Sequence, residues 1–442
     1  MNFRFFAVAA LTWCACSGIG GTSSAAEKPT DCPNVVFIMA DDLGYAHLGC
    51  YGGETIRTPE LDRLAADGLR FTRFHAGASL CLPSRCSLMT GLHTGHSRCR
   101  VNGGGGRHPE IAEEDITLAD MLQKAGYATA MIGKWSLGDD FRGCVVREHD
   151  RDGPGAIYKH GWDYYFGEPN QTYCHKYFPP QLYRFDPHGM LGTATPGDRL
   201  EVVPLRNGEG RRLDYTHDLL VDRALRYLDV VSQTDRPFFL YLSLTVPHAD
   251  FVVPELEPYT VDRPWPNAAK AFASMITRMD RDVGRIRRQI EELGIAEKTL
   301  VIFTSDNGGF SQFDEIFDNN GPLEGFKGQQ AVGGVRVPCI AYWPETIRPG
   351  RVSDELLAFW DVMPTLAELA GIEPPRPIDG ISFVPTLVEH GRQRHHRYLY
   401  FRGASAKDYL VIRGEGENRS DEAIAAEAEG PVVVPAFVDR RR

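Results

Sequence analysis

The sequence predicts an α/β fold: a large, mostly parallel β-sheet sandwiched by helices, followed by a small, shortened antiparallel subdomain at the C-terminus. Two observations carry this expectation. Short apolar runs that end in acids and glycine recur far apart in the chain, and between them strand-like and helix-like segments alternate. A strand of a parallel sheet covered on both faces is apolar at every position, because neither side meets water. Alternation of such strands with helices is the pattern of a sheet layered between helices. A chain of 442 residues suits one large domain of this kind with a smaller appendage.

In chain order, PNVVFIMADDLGY places a buried strand at Val35 to Ala40 that delivers Asp41 and Asp42 to its carboxyl edge. TPELDRLAADGL reads as a helix with Thr58 as N-cap and Pro59 at its first position. In SLCLPSRCSLMTG a helix is expected to open with Pro83 at N1 and Cys81 or Ser79 as cap. ITLADMLQKAGY is a helix capped by Thr117 and ended by Gly126. A strand at ATAMIGKW, a helix at YTHDLLVDRALRYLDVV, a strand at PFFLYLSLTVPH and a helix at AKAFASMITRMDRDVGRIRRQIEELG follow. TLVIFTSDNGG then repeats the opening grammar, with a strand at Leu300 to Thr304 before Asp306, Asn307 and two glycines. Ligands of open α/β sheets bind just beyond the carboxyl ends of strands, so the two polar pairs are expected to meet there.

The segment 138–215 is rich in Gly, Pro, Tyr and His and shows little periodicity, which predicts an irregular insertion of substrate-facing loops. From Gly371 the chain becomes Pro-rich, and GRQRHHRYLYFRGASAKDYLVIRGEG reads as a pair of antiparallel strands. The closing ENRSDEAIAAEAEGPVVVPAFVDRRR is expected to be poorly packed, and no internal repeat is found.

The hydrophobic share of 43% and charged share of 24% are those of a soluble globular protein. A net charge of -11 argues against a nucleic-acid partner, which would need clustered Lys and Arg, yet leaves room for a local basic pocket. At the N-terminus Arg4 precedes an apolar run, Phe5 to Cys16, and then Ser24-Ala25-Ala26. This is the pattern of a secretory signal peptide spanning residues 1–26 and cleaved before Glu27. The run is too short for a membrane span and no later one is longer, so an exported protein, periplasmic or secreted, is expected. Cys32, Cys50, Cys81, Cys86, Cys99, Cys144, Cys174 and Cys339 remain. They leave room for one or two disulfides whose pairing the sequence does not assign, and without a CxxC pair they do not suggest zinc.

Asp41, Asp42, Asp306 and Asn307 offer only hard oxygen ligands, which suit Ca²⁺ or Mg²⁺. Acids after a strand also cap helices and turns; the second pair, after a second apolar strand, is what strengthens the metal reading. CLPSR by itself has an ordinary reading too, as a helix start with a surface arginine. Set among its neighbours, however, CLPSRCSLMTG resembles the type I sulfatase signature, in which the first cysteine of C-x-P-S-R is oxidised after synthesis to formylglycine. The resemblance runs from about Pro33 to Pro385. It is carried in family order by NVVFIMADDLG, TPELDRLAADGLRFT, CLPSRCSLMTG, IGKW, HGWDYYFG, FFLYLSLTVPH, TSDNGG, GFKG and GGVRVPCIAYWP.

That resemblance implies an alkaline-phosphatase-like fold, with a catalytic domain at 27–370 and a shortened subdomain and tail at 371–442. It implies formylglycine at Cys81 and one Ca²⁺ held by Asp41, Asp42, Asp306, Asn307 and the residue at 81. The hydrated aldehyde would attack sulfur, the alcohol would leave, and the second hydroxyl would then expel sulfate, dividing one difficult displacement into two steps. Arg85, four residues after Cys81 on the same helix face, would hold the diol and the carboxylates. Lys134 and Lys327 would grip the sulfate and the leaving oxygen, and His248 would be the general acid. Alone, each of these would pass for a surface lysine or a loop histidine.

The implied activity is hydrolysis of carbohydrate or aryl sulfate esters. The partners would be a sulfated small molecule or polysaccharide and, during maturation, a formylglycine-generating enzyme. Two departures stand out. GKWSLG places Ser136 where many sulfatases have histidine, and a serine hydroxyl cannot accept a proton near neutrality; His175, His93 and His96 are candidates to replace it. After Tyr400 the usual closing motifs of the family are missing. A phosphate or phosphonate ester hydrolase using the same machinery, and a catalytically silent binder of sulfated glycans, are the rival readings.

Overall fold

The computed structural model describes residues 32–103, 108–138, 153–195, 197, 199–260, 263–431 and 437–438. The expected signal peptide and Cys144 lie outside the described residues. Ten strands form the main sheet: β1 (Asn34–Ala40), β2 (Leu69–Phe71), β3 (Ala128–Lys134), β4 (Tyr164–Glu168), β5 (Gln181–Phe185), β6 (Glu201–Pro204), β7 (Phe238–Ser243), β8 (Thr299–Ser305), β9 (Cys339–Tyr342) and β10 (Arg351–Ser353). Their spatial order is β10-β2-β9-β8-β1-β7-β3-β4-β5-β6. The central run from β8 to β4 is parallel, and antiparallel neighbours flank it on both sides.

The apolar runs are strands because the sheet has no solvent face at its centre. Successive side chains of a strand point to opposite faces, and β1 divides accordingly. Val35, Phe37 and Met39 enter one core with helices α2 (Cys81–Thr90), α3 (Leu118–Lys124) and α6 (Val362–Leu369). Val36, Ile38 and Ala40 enter the other with α1 (Pro59–Ala66), α4 (Thr216–Val231) and α5 (Asn267–Glu292). The helices expected from their caps are present. Thr117 Oγ1 accepts the Asp120 N–H at 3.1 Å while Asp120 Oδ2 accepts the Thr117 N–H at 2.9 Å, a reciprocal capping box.

Three expectations need correction. Helix α2 begins at Cys81 after Leu80, with no side-chain cap, so Pro83 is its third residue. The segment 138–215 is not irregular throughout: β4, β5 and β6 extend the sheet from it. These strands are four or five residues long, and β4 is buried at every position, so they carry no alternation for a sequence reading to detect. The expected antiparallel pair is present as β11 (Tyr398–Arg402) and β12 (Tyr409–Arg413), but the stretch after it holds helix α7 (Asp421–Ala428). Ser420 caps α7, and Ile424, Ala425 and Ala428 are buried against Tyr398 and Tyr400.

Candidate active site

The register of the parallel strands assembles the site. Ala40 pairs with Ser305, so Asp41 and Asp306 emerge side by side, and the Asp306 N–H bonds Ala40 O at 3.0 Å. On the other flank, Gly133 pairs with Ser243 and brings Lys134 to the same edge. A Cβ on Gly133, at φ 118, would lie 1.8 Å from Ser243 O, so only glycine allows β3 and β7 to approach this closely before the lysine. Asp42 turns into the left-handed region at φ 70, with its N–H held by Asp306 Oδ1 at 3.1 Å.

Helix α2 brings Cys81 to this edge, with Sγ 3.5 Å from Asp41 Oδ1 and 3.9 Å from Asp42 Oδ1. Burial, with Asp41 beside it, pushes the Cys81 thiol far above the usual range, so as a plain cysteine it would be a poor nucleophile. One turn on, Arg85 is 1% exposed and forks onto Asp306 Oδ2, Nε at 3.0 Å and Nη2 at 2.7 Å. Its Nη1 donates to Lys134 O at 3.3 Å and to Ser243 Oγ. Ser243 is a site residue that sequence reading missed; it ends β7 level with Gly133, a pairing across distance that no local sequence signal gives.

Three buried carboxylates face three cations. Lys134 Nζ reaches Asp41 Oδ2 at 2.7 Å, and Lys327 Nζ reaches Asp42 Oδ2 at 2.6 Å. The loop that carries Lys327 is pinned by its own N–H to Gly309 O at 2.9 Å and by the Gly328 N–H to Ser79 O at 2.7 Å. Buried charges persist only when paired and hydrogen-bonded. Burial works against Asp41, yet Lys134 and Arg85 hold its carboxyl well below the usual carboxylate range. Asp306, penalised by burial and by Asp41, is pushed up to about 7.

The donor set fits a hard divalent cation. Ligand atoms of Asp41, Asp42, Cys81 and His248 lie within 4.8 Å of one another. Asn307 Nδ2 donates to Asp42 Oδ1 at 2.8 Å, while Asn307 Oδ1 is buried with no hydrogen-bond partner among the described residues. A buried acceptor without a donor is costly unless something positive faces it. Asp306 contributes differently from the other acids, since Asp42 N–H and Arg85 occupy its two oxygens.

Of the three candidate replacements for a histidine at 136, one reaches the site. His175 Nε2 lies 3.0 Å from Lys134 Nζ and 3.5 Å from Asp41 Oδ2. His248 Nε2 lies 3.5 Å from Asp42 Oδ2, and its Nδ1 bonds Ala249 O at 2.5 Å. His93 and His96 instead pack on Asp379, in the loop after α2. Ser136 is buried, at φ 68, and its hydroxyl has no hydrogen-bond partner among the described residues. The expected disulfides are not formed at Cys50, Cys81, Cys86, Cys99, Cys174 or Cys339, all of which are thiols.

A sheet edge that gathers lysines, carboxylates and imidazoles around a helix-terminal cysteine is built to receive an anionic group next to a reactive side chain. The comparison with known proteins names the class. The sulfatase family profile matches residues 33–372. Mouse steryl-sulfatase is 34% identical over 432 residues, covering 83% of this chain and 67% of that protein. Human N-acetylgalactosamine-6-sulfatase is 31% identical over 418 residues, covering 91% and 73%. The crystal structure of Ps i-CgsB in complex with k-i-k-neocarrahexaose superposes with a TM-score of 0.66 at 25% identity, covering 91% of this chain and 90% of that one. The chain belongs to the sulfatase family. It is a sulfuric ester hydrolase.

Proposed function

We propose that the protein hydrolyses carbohydrate or aryl sulfate esters with residue 81 as formylglycine and a single Ca²⁺ at Asp41, Asp42, Asp306, Asn307 and residue 81. The observation that carries this reading is the position of Cys81 Sγ, 3.5 Å from Asp41 and 3.9 Å from Asp42, with Lys134 and Lys327 on those same carboxylates. The aldehyde hydrate would supply the nucleophilic hydroxyl, and the cation would supply Lewis-acid polarisation of a sulfate oxygen.

The chain's own residues do the rest. Lys134 and Lys327 stabilise charge on the transferred group, from a site where little water screens them. Arg85 fixes Asp306 and, through Nη2 at 3.4 Å, Asp41, so the carboxylates cannot swing away. His248 protonates the departing alcohol oxygen from Nε2, its Nδ1–H being held by Ala249 O. His175 supplies the imidazole that Ser136 does not, which weighs against one of the two grounds for the silent-binder reading, the other being the C-terminal subdomain. A formylglycine-generating enzyme acts on Cys81 during maturation, and the protein is exported; no described helix is long and apolar enough to cross a membrane. Residues 27–370 are taken as the catalytic unit and 371–442 as a C-terminal subdomain and tail.

The test pairs an aryl sulfate with the matching aryl phosphate, using protein whose Cys81 conversion has been measured by peptide mass spectrometry. Sulfate turnover that disappears in Cys81→Ala is expected. Phosphate preference by orders of magnitude would overturn the reading in favour of a phosphate or phosphonate ester hydrolase.

A further inference from the structure

A second group of cations lies outside the carboxylate cluster. A cavity of about 300 Å³ is lined in part by Lys176, Phe178, Arg211, Arg212, Asp250 and Val252. Two of its walls continue from the histidines of the site: Lys176 directly follows His175, and Asp250 stands two residues after His248. Phe178 is three residues past His175, at most about 11 Å of extended chain. Tyr177 ties the two walls together, its hydroxyl bonding Thr245 O at 2.8 Å and His248 O at 2.6 Å. The third wall is the loop 206–214, and it is firmly held. The buried Asn207 accepts the Leu213 and Asp214 N–H groups through Oδ1, both at 2.9 Å, and donates through Nδ2 to Pro179 O at 2.9 Å and Asp214 O at 2.8 Å. All of its hydrogen-bonding capacity is spent on the loop. Asp214 also accepts from Arg206 Nε at 2.9 Å and from the Arg206 N–H at 2.7 Å. Arg211 and Arg212 are carried between these ties. Arg211 donates from Nε to Gly208 O at 3.1 Å, and Arg212 lies over the Phe178 ring, 5.7 Å from its centroid. Both are exposed, and neither guanidinium forms an ion pair among the described residues. Among those residues Asp250 is the only carboxylate in the lining, and it pairs with Lys176 at 3.0 Å. Two planar cations are left over, in a chain whose net charge is -11. Unpaired charge held in place does not stabilise the fold; it attracts an incoming anion.

We propose that this cavity is a subsite for a second anionic group, a sulfate or carboxylate on a sugar next to the one that carries the scissile sulfate, bound by the Arg211 and Arg212 guanidinium groups. The forked N–H groups of arginine match the oxygens of either anion. Lys176 joins them when its pair with Asp250 opens, exposed pairs of this kind being weak. The substrate is then an oligosaccharide bearing several negative charges rather than a monosulfated aryl compound. The place of the scissile group rests on the function proposed above; the capture of the second anion does not.

The test measures binding of persulfated maltotetraose, tetragalacturonate and neutral maltotetraose to the full chain by isothermal titration calorimetry, in the wild type and in Arg211→Ala/Arg212→Ala. A control, Lys124→Ala/Lys298→Ala, removes the same charge from residues that precede β3 and β8, at the amino edge of the sheet. The wild type is expected to bind at least one of the two anionic oligosaccharides and not the neutral one. The Kd should rise about 10–100-fold in the arginine variant and less than about twofold in the control, whose charges are distant and screened. Binding of the persulfated probe alone assigns the subsite to sulfate, and of tetragalacturonate alone to carboxylate. Equal weakening in the two double variants, or no binding of either anionic probe to the wild type, overturns the proposal. Turnover of a monosulfated aryl ester by the same proteins, with Cys81 conversion measured, keeps the two readings apart. In the arginine variant kcat/KM on that ester should fall about tenfold less than the oligosaccharide affinity, since the ester has no second anion; equal losses overturn the subsite. Aryl sulfate turnover without arginine-dependent oligosaccharide binding defeats the subsite alone. Arginine-dependent binding without aryl sulfate turnover upholds the subsite and defeats the proposed reaction alone.

Discussion

His175 lies flat on His248, their ring centroids 3.4 Å apart and their planes 4° from parallel. One ring comes from the insertion between β4 and β5, the other from the segment after β7. Burial holds His248 below the usual imidazole range, and burial with Lys134 holds His175 well below it. With its Nδ1–H on Ala249 O, His248 can donate from Nε2 only as the imidazolium, and a neutral His175 leaves no second charged ring pressed against its face. Each of His248→Ala and His175→Ala is expected to lower kcat/KM by about 10²–10⁴-fold. The His248 loss should be larger for a sugar sulfate than for an aryl sulfate, because a poor leaving group depends more on protonation. A His175→Ala enzyme with wild-type kcat/KM on both substrates would remove His175 from the mechanism.

Arg85 is the structural keystone of the carboxylate cluster. Its fork on Asp306 and its bonds to Lys134 O and Ser243 Oγ are all buried. Removing one partner of such a pair strands the other charge, at a cost of roughly 3–5 kcal/mol. Arg85→Met should therefore lower the unfolding free energy by about that amount, and Arg85→Lys by less, because charge is retained while the planar fork is lost. Urea unfolding followed by circular dichroism measures both. A change below about 1 kcal/mol in Arg85→Met, the level of an exposed pair, would contradict the buried network.

Exhaustive chelation should abolish sulfate turnover and lower the melting temperature, and Ca²⁺ should restore both. A ligand present at one hundred times its dissociation constant adds about 2.7 kcal/mol to stability, enough to read by calorimetry. The orphan Asn307 Oδ1 gives the control: Asn307→Ala should reduce the response to added Ca²⁺. If chelator changes neither activity nor melting, the hard-oxygen set holds no functional ion.

The central sheet and the acids on its carboxyl edge were legible in the sequence because both are local. Val35 to Ala40 and Leu300 to Thr304 are continuous apolar runs, and the acids directly follow them. What pairs across distance was not legible. His175 is 39 residues past Ser136, and only the fold of the insertion turns it onto Lys134 and Asp41. Ser243 reads as one more polar residue at a strand end until the register with Gly133 places it under Arg85. Helix α7 was missed because its alanine- and glutamate-rich sequence has too few apolar residues to announce a core; it is held by two tyrosines from β11.

The His96–Asp379 contact gives stability a pH dependence of its own. His96 Nδ1 faces both Asp379 oxygens, at 2.8 and 2.9 Å, and its Nε2 faces Gly430 O at 2.8 Å. Two acceptors on two nitrogens require the imidazolium. The other groups facing it are His93, stacked at 4.3 Å, and Arg100. His93 stays neutral, pushed down to about 4 chiefly by burial, and its Nδ1 accepts the Gly95 N–H at 3.0 Å. Burial opposes the charge on His96, but Asp379 raises its pKa above the unfolded value of about 6.5. The stabilisation is therefore complete below about pH 6.5 and is lost as pH rises through the folded pKa. Asp379 is shifted the other way: burial opposes its charge, but His93 and His96 hold it low, so its contribution is present above the unfolded carboxylate value and lost as pH falls through the folded one. Unfolding free energies at roughly pH 5.5 and pH 9 should thus fall more steeply for the wild type than for His96→Gln. Parallel profiles for the two proteins would show that this contact does not tie the loop after α2 to the end of α7.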